Sequence, residues 1–436
     1  MSGQALLEEL GWRGLVHLSS EGLEQRLARG PISGYIGFDA SATSLHVGHL
    51  LQVFLLTHLQ RAGGRPVIVI GGGTGMIGDP SGKSSERALL DDTTIEANSA
   101  ALRRQLERFL DFSEGPSQPR LVDNRDWLAA MSVIDFLRDI GKHFTVPYML
   151  AKDSVQARLA AGMSFTEFSY QTLQAADFLH LHQHEGVDLQ MGGADQWGNI
   201  TAGLELIRRV ESRGREDDAT NDANERGAHE PTAFGLCSPL LLTRSGQKMG
   251  KSERGAVFLD ADLTSAYEFY QYWINDVDEL VLDHLRWLTT MARSEIEAVA
   301  AEHAAAPGSR TAQRALAYDL TSRIHGQSEA DRQVALASAA FAESVHDPEI
   351  LEALFGALGG FDFGPEADGW TALDLAVAAG AGSRGDARRL ITQGGLSVNG
   401  ERLSDPSAAP PALIAGRYWW LSLGKKRRVV GRRRPG

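Results

Sequence analysis

The chain has 436 residues, 43% hydrophobic and 23% charged, the balance of a soluble globular enzyme with two to four domains. Its opening, Met1 to Val16, lacks a basic start before an apolar core, and its most apolar run, Leu50 to Leu59, is about half a bilayer span; both argue against secretion or membrane insertion. The formal charge of −13 argues against a nucleic-acid partner, yet from Arg384 onward 12 Lys/Arg face 3 Asp/Glu, a local +9 that leaves −22 on the remainder. One cysteine, Cys237, excludes an internal disulfide and a multi-cysteine zinc site, so a cytoplasmic protein is expected.

In chain order, Tyr35 to Phe38 reads as a strand and Leu45 to Gln60 as an amphipathic helix. Pro66 to Ile70 is a short β-branched run ending in Gly71-Gly72-Gly73, the pattern of a buried strand. Phe165 to His184 reads as a helix and Val187 to Met191 as a strand before Gly192-Gly193. Alternating strands and helices predict an α/β, mainly parallel sheet with its functional loops at the carboxyl ends of the strands. Glu211 to Glu230 is polar and aperiodic, the composition of a flexible surface insertion. From Leu263 to about Phe355 the pattern is helical; Gly359 to Gly369 has a linker's composition; short strands are expected around Val398 and Tyr418.

Three constellations carry chemistry. Leu45-His46-Val47-Gly48-His49 stands at a helix start, where free N–H groups suit phosphate oxygens and Gly48 clears space for a nucleotide. His-x-x-His without further ligands is a poor metal site, so no protein-bound metal is expected. Lys248-Met249-Gly250-Lys251-Ser252 puts two lysines three apart on a glycine-containing loop, able to clamp a triphosphate. Tyr170, Gln174 and Asp177 fall at i, i+4 and i+7 on one helix face, too polar for a core stripe. They suit a small zwitterion with a further donor: Asp177 could accept from a phenol, Tyr35 could approach from the other side, and Tyr170, Gln174 and Asp79 could hold the ammonium.

The first two motifs, in this order and roughly 200 residues apart, resemble the HIGH and KMSKS signatures of class I aminoacyl-tRNA synthetases, with Val47 for Ile and Gly250 for Ser. Tyr35-Ile36-Gly37-Phe38-Asp39, Gly78-Asp79-Pro80-Ser81-Gly82-Lys83, the run Phe168 to Asp177, and the run Gly192 to Asn199 resemble the bacterial tyrosyl-tRNA synthetase family. The resemblance spans nearly the whole chain except the insertion after Glu211.

It implies a Rossmann-like parallel-sheet catalytic domain over 1–259, an all-α tRNA-binding domain over 260–358, a linker over 359–369, a small α+β S4-like RNA-binding domain over 370–430 and a basic tail over 431–436. The implied activity joins L-tyrosine to ATP as tyrosyl-adenylate, releasing pyrophosphate, then transfers tyrosine to the 3′ end of tRNA(Tyr). The implied tyrosine site is Tyr35, Asp79, Tyr170, Gln174, Asp177 and Gln196. Asp39, Ser41, Gly48, Gly193 and Asp195 would contact ATP, whose phosphates would meet His46, His49, Lys83, Arg87, Lys248, Lys251 and Ser252. Mg²⁺ would arrive on the nucleotide, a homodimer is implied, and Arg384, Arg388 and Arg389 would meet tRNA phosphates.

Two other matches are discounted. Gly73-Thr74-Gly75-Met76-Ile77-Gly78 fits GxGxxG, with Asp92 and Glu96 roughly twenty residues on, but Gly78-Asp79-Pro80 follows at once and does not continue a helix well. Gly78 to Ser84 has three residues between glycines where a P-loop needs four. A tryptophan-specific synthetase shares the implied architecture; Tyr35 with Asp177 and the S4-like end favour tyrosine.

Overall fold

The computed structural model describes residues 3–79, 91–152, 155–156, 159, 162–218, 230–249, 251–252, 255–424 and 427–434. The chain forms two compact units, 1–264 with 274–316, and 265–273 with 317–436.

The first unit is built on a six-stranded sheet. Its strands are β1 (Leu18–Ser19), β2 (Ser33–Asp39), β3 (Arg65–Gly71), β4 (Arg120–Asp123), β5 (Leu189–Gly193) and β6 (Phe234–Ser238), ordered β1-β6-β5-β2-β3-β4. All neighbours pair in parallel except β1 with β6. A central parallel strand is covered on both faces, which is why Pro66 to Gly71 is apolar without alternation and wholly buried. The chain leaves β2 toward β3 and β4, then returns to the other side of β2 with β5. Strand order therefore reverses between β2 and β5, the place where open α/β sheets leave a crevice.

Helix α1 (Leu50–Arg61) starts five residues later than expected, behind a 3₁₀ turn over Val47–His49. It is not amphipathic: Leu50 to Leu59 are all buried except Gln52, because α1 is sandwiched within the unit. Helix α2 (Asp92–Leu106) is capped by the Asp91 carboxylate, which accepts from the Thr94 N–H at 2.8 Å.

Helix α3 (Phe165–Glu185) begins with a reciprocal cap: Ser164 accepts from the Glu167 N–H while Glu167 accepts from the Ser164 N–H. It ends at Gly186, whose left-handed φ of 63° a β-carbon would oppose. Helix α4 (Trp197–Asp218) continues through the start of the expected insertion, so 211–218 are helical; 219–229 lie outside the described residues. The GxGxxG match holds only a 3₁₀ turn over Thr74–Met76 and opens no helix there.

The second unit carries a five-stranded sheet, ordered β11 (Glu401–Leu403), β10 (Leu396–Val398), β12 (Tyr418–Leu423), β13 (Arg427–Arg433), β9 (Phe361–Phe363). The stretch expected as a linker thus supplies β9, pairing in parallel with β13, and Phe363 stacks on Trp419 at 4.6 Å within the core. Hydrophobicity decides this: Phe361 and Phe363 flank Asp362, the alternation of a half-buried strand. Helices α5 (Ala372–Ala378) and α6 (Arg384–Thr392) pack on the sheet through Leu375, Ala376, Ala387 and Ile391. Among the described residues no helix is long and apolar enough to cross a membrane.

One polar latch holds the far end of α3. His182 Nδ1 lies 3.3 Å from Asp188 and Nε2 lies 3.2 Å from Glu211, and these partners push the imidazole up to about 8. The folded value exceeds the unfolded one, so the added stability is full below about pH 6.5 and is lost as pH rises through about 8. His182→Gln should cost on the order of 1 kcal/mol in urea unfolding at pH 6 and much less at pH 9. An equal cost at both values would show that the latch is uncharged.

Candidate active site

At the reversal point lies a cavity of about 640 Å³, lined from β2 by Tyr35 and Asp39, from α3 by Tyr170, Gln174 and Asp177, and from the β5–α4 turn by Gly193, Asp195 and Gln196. Ser41, His46, Gly48, His49, Asp79 and Lys248 also line it. The sheet order explains the convergence: β2 and β5 are neighbours with Tyr35 opposite Gln190, although 155 positions separate them (190 − 35).

Asp177 is 3% exposed and is bonded through both oxygens. Asn124 Nδ2 donates to Oδ2 at 2.9 Å and Trp127 Nε1 donates to Oδ1 at 2.7 Å. Burial pushes the carboxyl up to about 7 against the pull of those two donors; Asp39 and Asp123 nearby add to the rise. Tyr35 is buried beside it, its ring 5.4 Å from Phe178, and its hydroxyl has no hydrogen-bond partner among the described residues. Burial and the Asp177 charge raise that phenol well above its ordinary value, so it stays a neutral donor.

Across the cavity a second polar group converges. Gln196 Nε2 donates to Asp79 at 2.8 Å, and Gln174 Nε2 donates to Gln196 Oε1 at 3.4 Å. Lys248 Nζ donates to Asp195 at 2.6 Å.

The histidine motif is a tight turn. His46 Nδ1 accepts from the Gly48 N–H at 3.1 Å, His49 Nδ1 accepts from the His46 N–H at 3.1 Å, and the ring centroids lie 3.9 Å apart with the planes tilted by 32°. With Nδ1 accepting, the proton of each neutral ring sits on Nε2, a donor suited to phosphate oxygen. The lysine loop folds onto this turn. A β-carbon on Gly48 would lie 2.8 Å from the Met249 carbonyl oxygen and 2.8 Å from His46 Cε1.

Of the expected residues, Lys83 and Arg87 lie outside the described residues, as does Gly250. Lys251 and Ser252 form the short strand β7, paired with β8 (Gly255–Ala256). In the second unit, Arg384 and Arg388 are exposed and one turn apart on α6, with Arg384 bonded to Asp374 at 3.0 Å. Arg389 is turned roughly 140° from Arg384 and pairs with Asp386, so the three do not share one face.

Two functional side chains went unread in the sequence, Asn124 and Trp127. Their signal was positional: Asp123-Asn124-Arg125 closes β4 at its carboxyl end, where parallel sheets place ligand groups. Asn124 also accepts from the Gly73 N–H at 2.8 Å, and Asp123 accepts from the Gly72 N–H at 3.1 Å, tying the glycine turn to this strand end.

A family model for tRNA synthetases class I (W and Y) matches residues 27–342, and an S4 domain model matches residues 373–409. The chain is 49% identical over 431 residues to a protein named tyrosine–tRNA ligase from Anaeromyxobacter dehalogenans (strain 2CP-1), covering 97% of this chain and 98% of that one. The chain belongs to the tyrosyl-tRNA synthetase family. The ligase of Geobacillus stearothermophilus is 43% identical over 427 residues, covering 97% of this chain and 98% of its own. A crystal structure of a C-terminally truncated Aspergillus nidulans mitochondrial tyrosyl-tRNA synthetase superposes with TM-score 0.67 at 29% identity, over 77% of this chain and 94% of that one.

The fit between Gly48 and the Met249 carbonyl leaves no room for a methyl group. Gly48→Ala should slow tyrosine-dependent ATP–pyrophosphate exchange by roughly tenfold to a hundredfold, the range expected from displacing a phosphate-facing loop. The circular dichroism spectrum should be unchanged; an unaltered exchange rate would show that the loop adjusts freely.

Proposed function

We propose that this cavity is where the enzyme performs tyrosine–tRNA ligation, with L-tyrosine lying phenol-first toward Tyr35 and Asp177. The supporting observation is a buried phenol with no hydrogen-bond partner among the described residues, near a buried carboxylate that has accepting capacity left after two bonds. A substrate hydroxyl would donate to Asp177 and accept from Tyr35. Phenylalanine would leave both buried groups unsatisfied, which is the costly outcome. Asp79, Tyr170 and Gln174 would hold the ammonium, and Gln196 the carboxyl region.

ATP would lie along the histidine turn, with Asp39, Gly193 and Asp195 toward the ribose and Ser41, His46, His49 and Lys248 toward the phosphates. Lys83, Arg87, Lys251 and Ser252 belong to the same phosphate set in this reading, and Mg²⁺ arrives on the nucleotide. The tyrosine carboxylate is itself the nucleophile: it attacks the α-phosphorus and pyrophosphate leaves. No general base is needed, so the protein's task is to align the groups and to spread the charge developing on the phosphates. The 3′ hydroxyl of tRNA then attacks the tyrosyl carbonyl and releases AMP. Basic side chains of the S4 region, Arg384 and Arg388 foremost, suit the phosphates of that RNA.

The reading includes a catalytic domain, a helical tRNA-binding region and an S4-like RNA-binding domain that takes in Phe361–Phe363 as a strand, together with a cytoplasmic location and a homodimer. Among the described residues, six of the eleven exposed large apolar side chains fall between 133 and 165: Val133, Ile134, Leu137, Val146, Leu159 and Phe165. Val133, Ile134 and Phe165 are at least 70% exposed, more than isolated surface residues explain.

Asp177 accepts best when ionised, and its carboxyl titrates near 7. The kcat/KM for tyrosine should therefore fall as pH drops through about 7, while that for phenylalanine stays flat. Asp177→Ala should lower tyrosine kcat/KM about a hundredfold, with KM for ATP little changed. Parallel loss of both substrates would make Asp177 structural. Ile134→Asp should shift the enzyme from dimer to monomer in sedimentation; a dimer of unaltered affinity would place the interface elsewhere.

A further inference from the structure

Asp177 is not held by its own helix. Its Oδ1 takes a hydrogen bond from the Trp127 indole, which arrives on a single helical turn, Arg125–Leu128, after β4. So short a turn cannot by itself fix the rotation of a large ring. The plate behind the indole comes from α3: the His180 ring stacks on Trp127 at 4.4 Å with 13° between planes. His180 stands three residues after Asp177, so one helix face supplies both the carboxylate that the indole bonds and the surface it leans on.

The stack has a third layer. His184 lies on His180 at 4.4 Å and 20°, and its Nδ1 is 3.0 Å from the His180 carbonyl oxygen, which fixes its place one turn along. The three rings line a second cavity of about 370 Å³, together with Met131, Ile140, Leu179 and Val210. Burial and the neighbouring His184 both lower the His180 imidazole's affinity for a proton, so the middle plate is neutral and stacks flat.

We propose that His180 is a positioning residue for tyrosine recognition: stacked on Trp127, it locks the indole so that Nε1 donates along a fixed direction to Asp177 Oδ1 and leaves the other acceptor directions of the carboxylate aimed at the substrate phenol. The effect is transmitted without contact with tyrosine, ATP or tRNA. This proposal rests on the reading of Asp177 as the group that meets the phenol.

The test compares full-length wild type, His180→Ala, His180→Phe and Asp177→Ala in ATP–pyrophosphate exchange, with tyrosine and with phenylalanine. His180→Ala should raise KM for tyrosine about fivefold, the scale of one lost aromatic stack, leaving kcat and the KM for ATP unchanged. The slow exchange with phenylalanine should keep its kcat/KM, so the tyrosine-to-phenylalanine ratio falls by the same factor. His180→Phe should restore both values, because a flat ring without nitrogen keeps the plate.

Equal losses with both amino acids, an unchanged tyrosine KM, or no rescue by His180→Phe would each overturn the proposal. Asp177→Ala separates the two levels. If it lowers the ratio while His180→Ala does not, the stack alone is at fault. If it leaves the ratio unaltered, the Asp177 reading fails and takes the stack with it.

Discussion

The catalytic half of the molecule depends on keeping one carboxylate, Asp177, out of water. A buried charge is tolerated only with partners, and here they are two neutral donors, Asn124 and Trp127, carried in by the end of β4. The rise of that carboxyl to about 7 shows the compensation to be partial. An acid so balanced is most in need of a further donor at neutral pH, and a phenol can be that donor. The same shortage appears in Tyr35, whose buried hydroxyl has no hydrogen-bond partner among the described residues. Two groups left wanting in one cavity are what the proposed phenol site would satisfy.

The division of labour follows from the sheet. The reversal between β2 and β5 opens a crevice at their carboxyl ends, and groups distant in sequence meet there because parallel strands all point the same way. No side chain need be a strong nucleophile or base. In the proposed reading the floor around Asp177 would read the amino acid, while the histidine turn and the lysine loop would present N–H and ammonium groups to the phosphates. The capped ends of α3 serve this arrangement: Ser164 with Glu167 and left-handed Gly186 fix where the helix starts and stops, and so where Tyr170, Gln174 and Asp177 point.

Much of this was legible in the residues. The strands β2 and β3, the span of helix α3 and the polar stripe along its face are local patterns, and local patterns survive translation into structure. What escaped notice was set by partners far along the chain. Asn124 and Trp127 gain meaning only through Asp177, 53 and 50 positions away. The helix Leu50–Arg61 looked amphipathic because Gln52 and Gln60 interrupt it, but its surroundings bury every residue from Leu50 to Leu59 except Gln52. Phe361–Phe363 looked like linker because its strand partner, β13, lies near the other end of the chain. Arg389 was grouped with Arg384 and Arg388 by proximity in sequence, which ignores the turn of the helix.

The seat of Gly48 under the Met249 carbonyl has a consequence for engineering. The histidine turn and the lysine loop meet as two halves of one moulded surface, and each half is shaped for the backbone of the other. A chimaera that borrows one segment from a distant synthetase without its counterpart would set unmatched backbones against each other at Gly48, where no side chain exists to absorb the difference. Exchanging both together moves the seam to the sheet, where parallel backbone pairing is indifferent to which residues it joins.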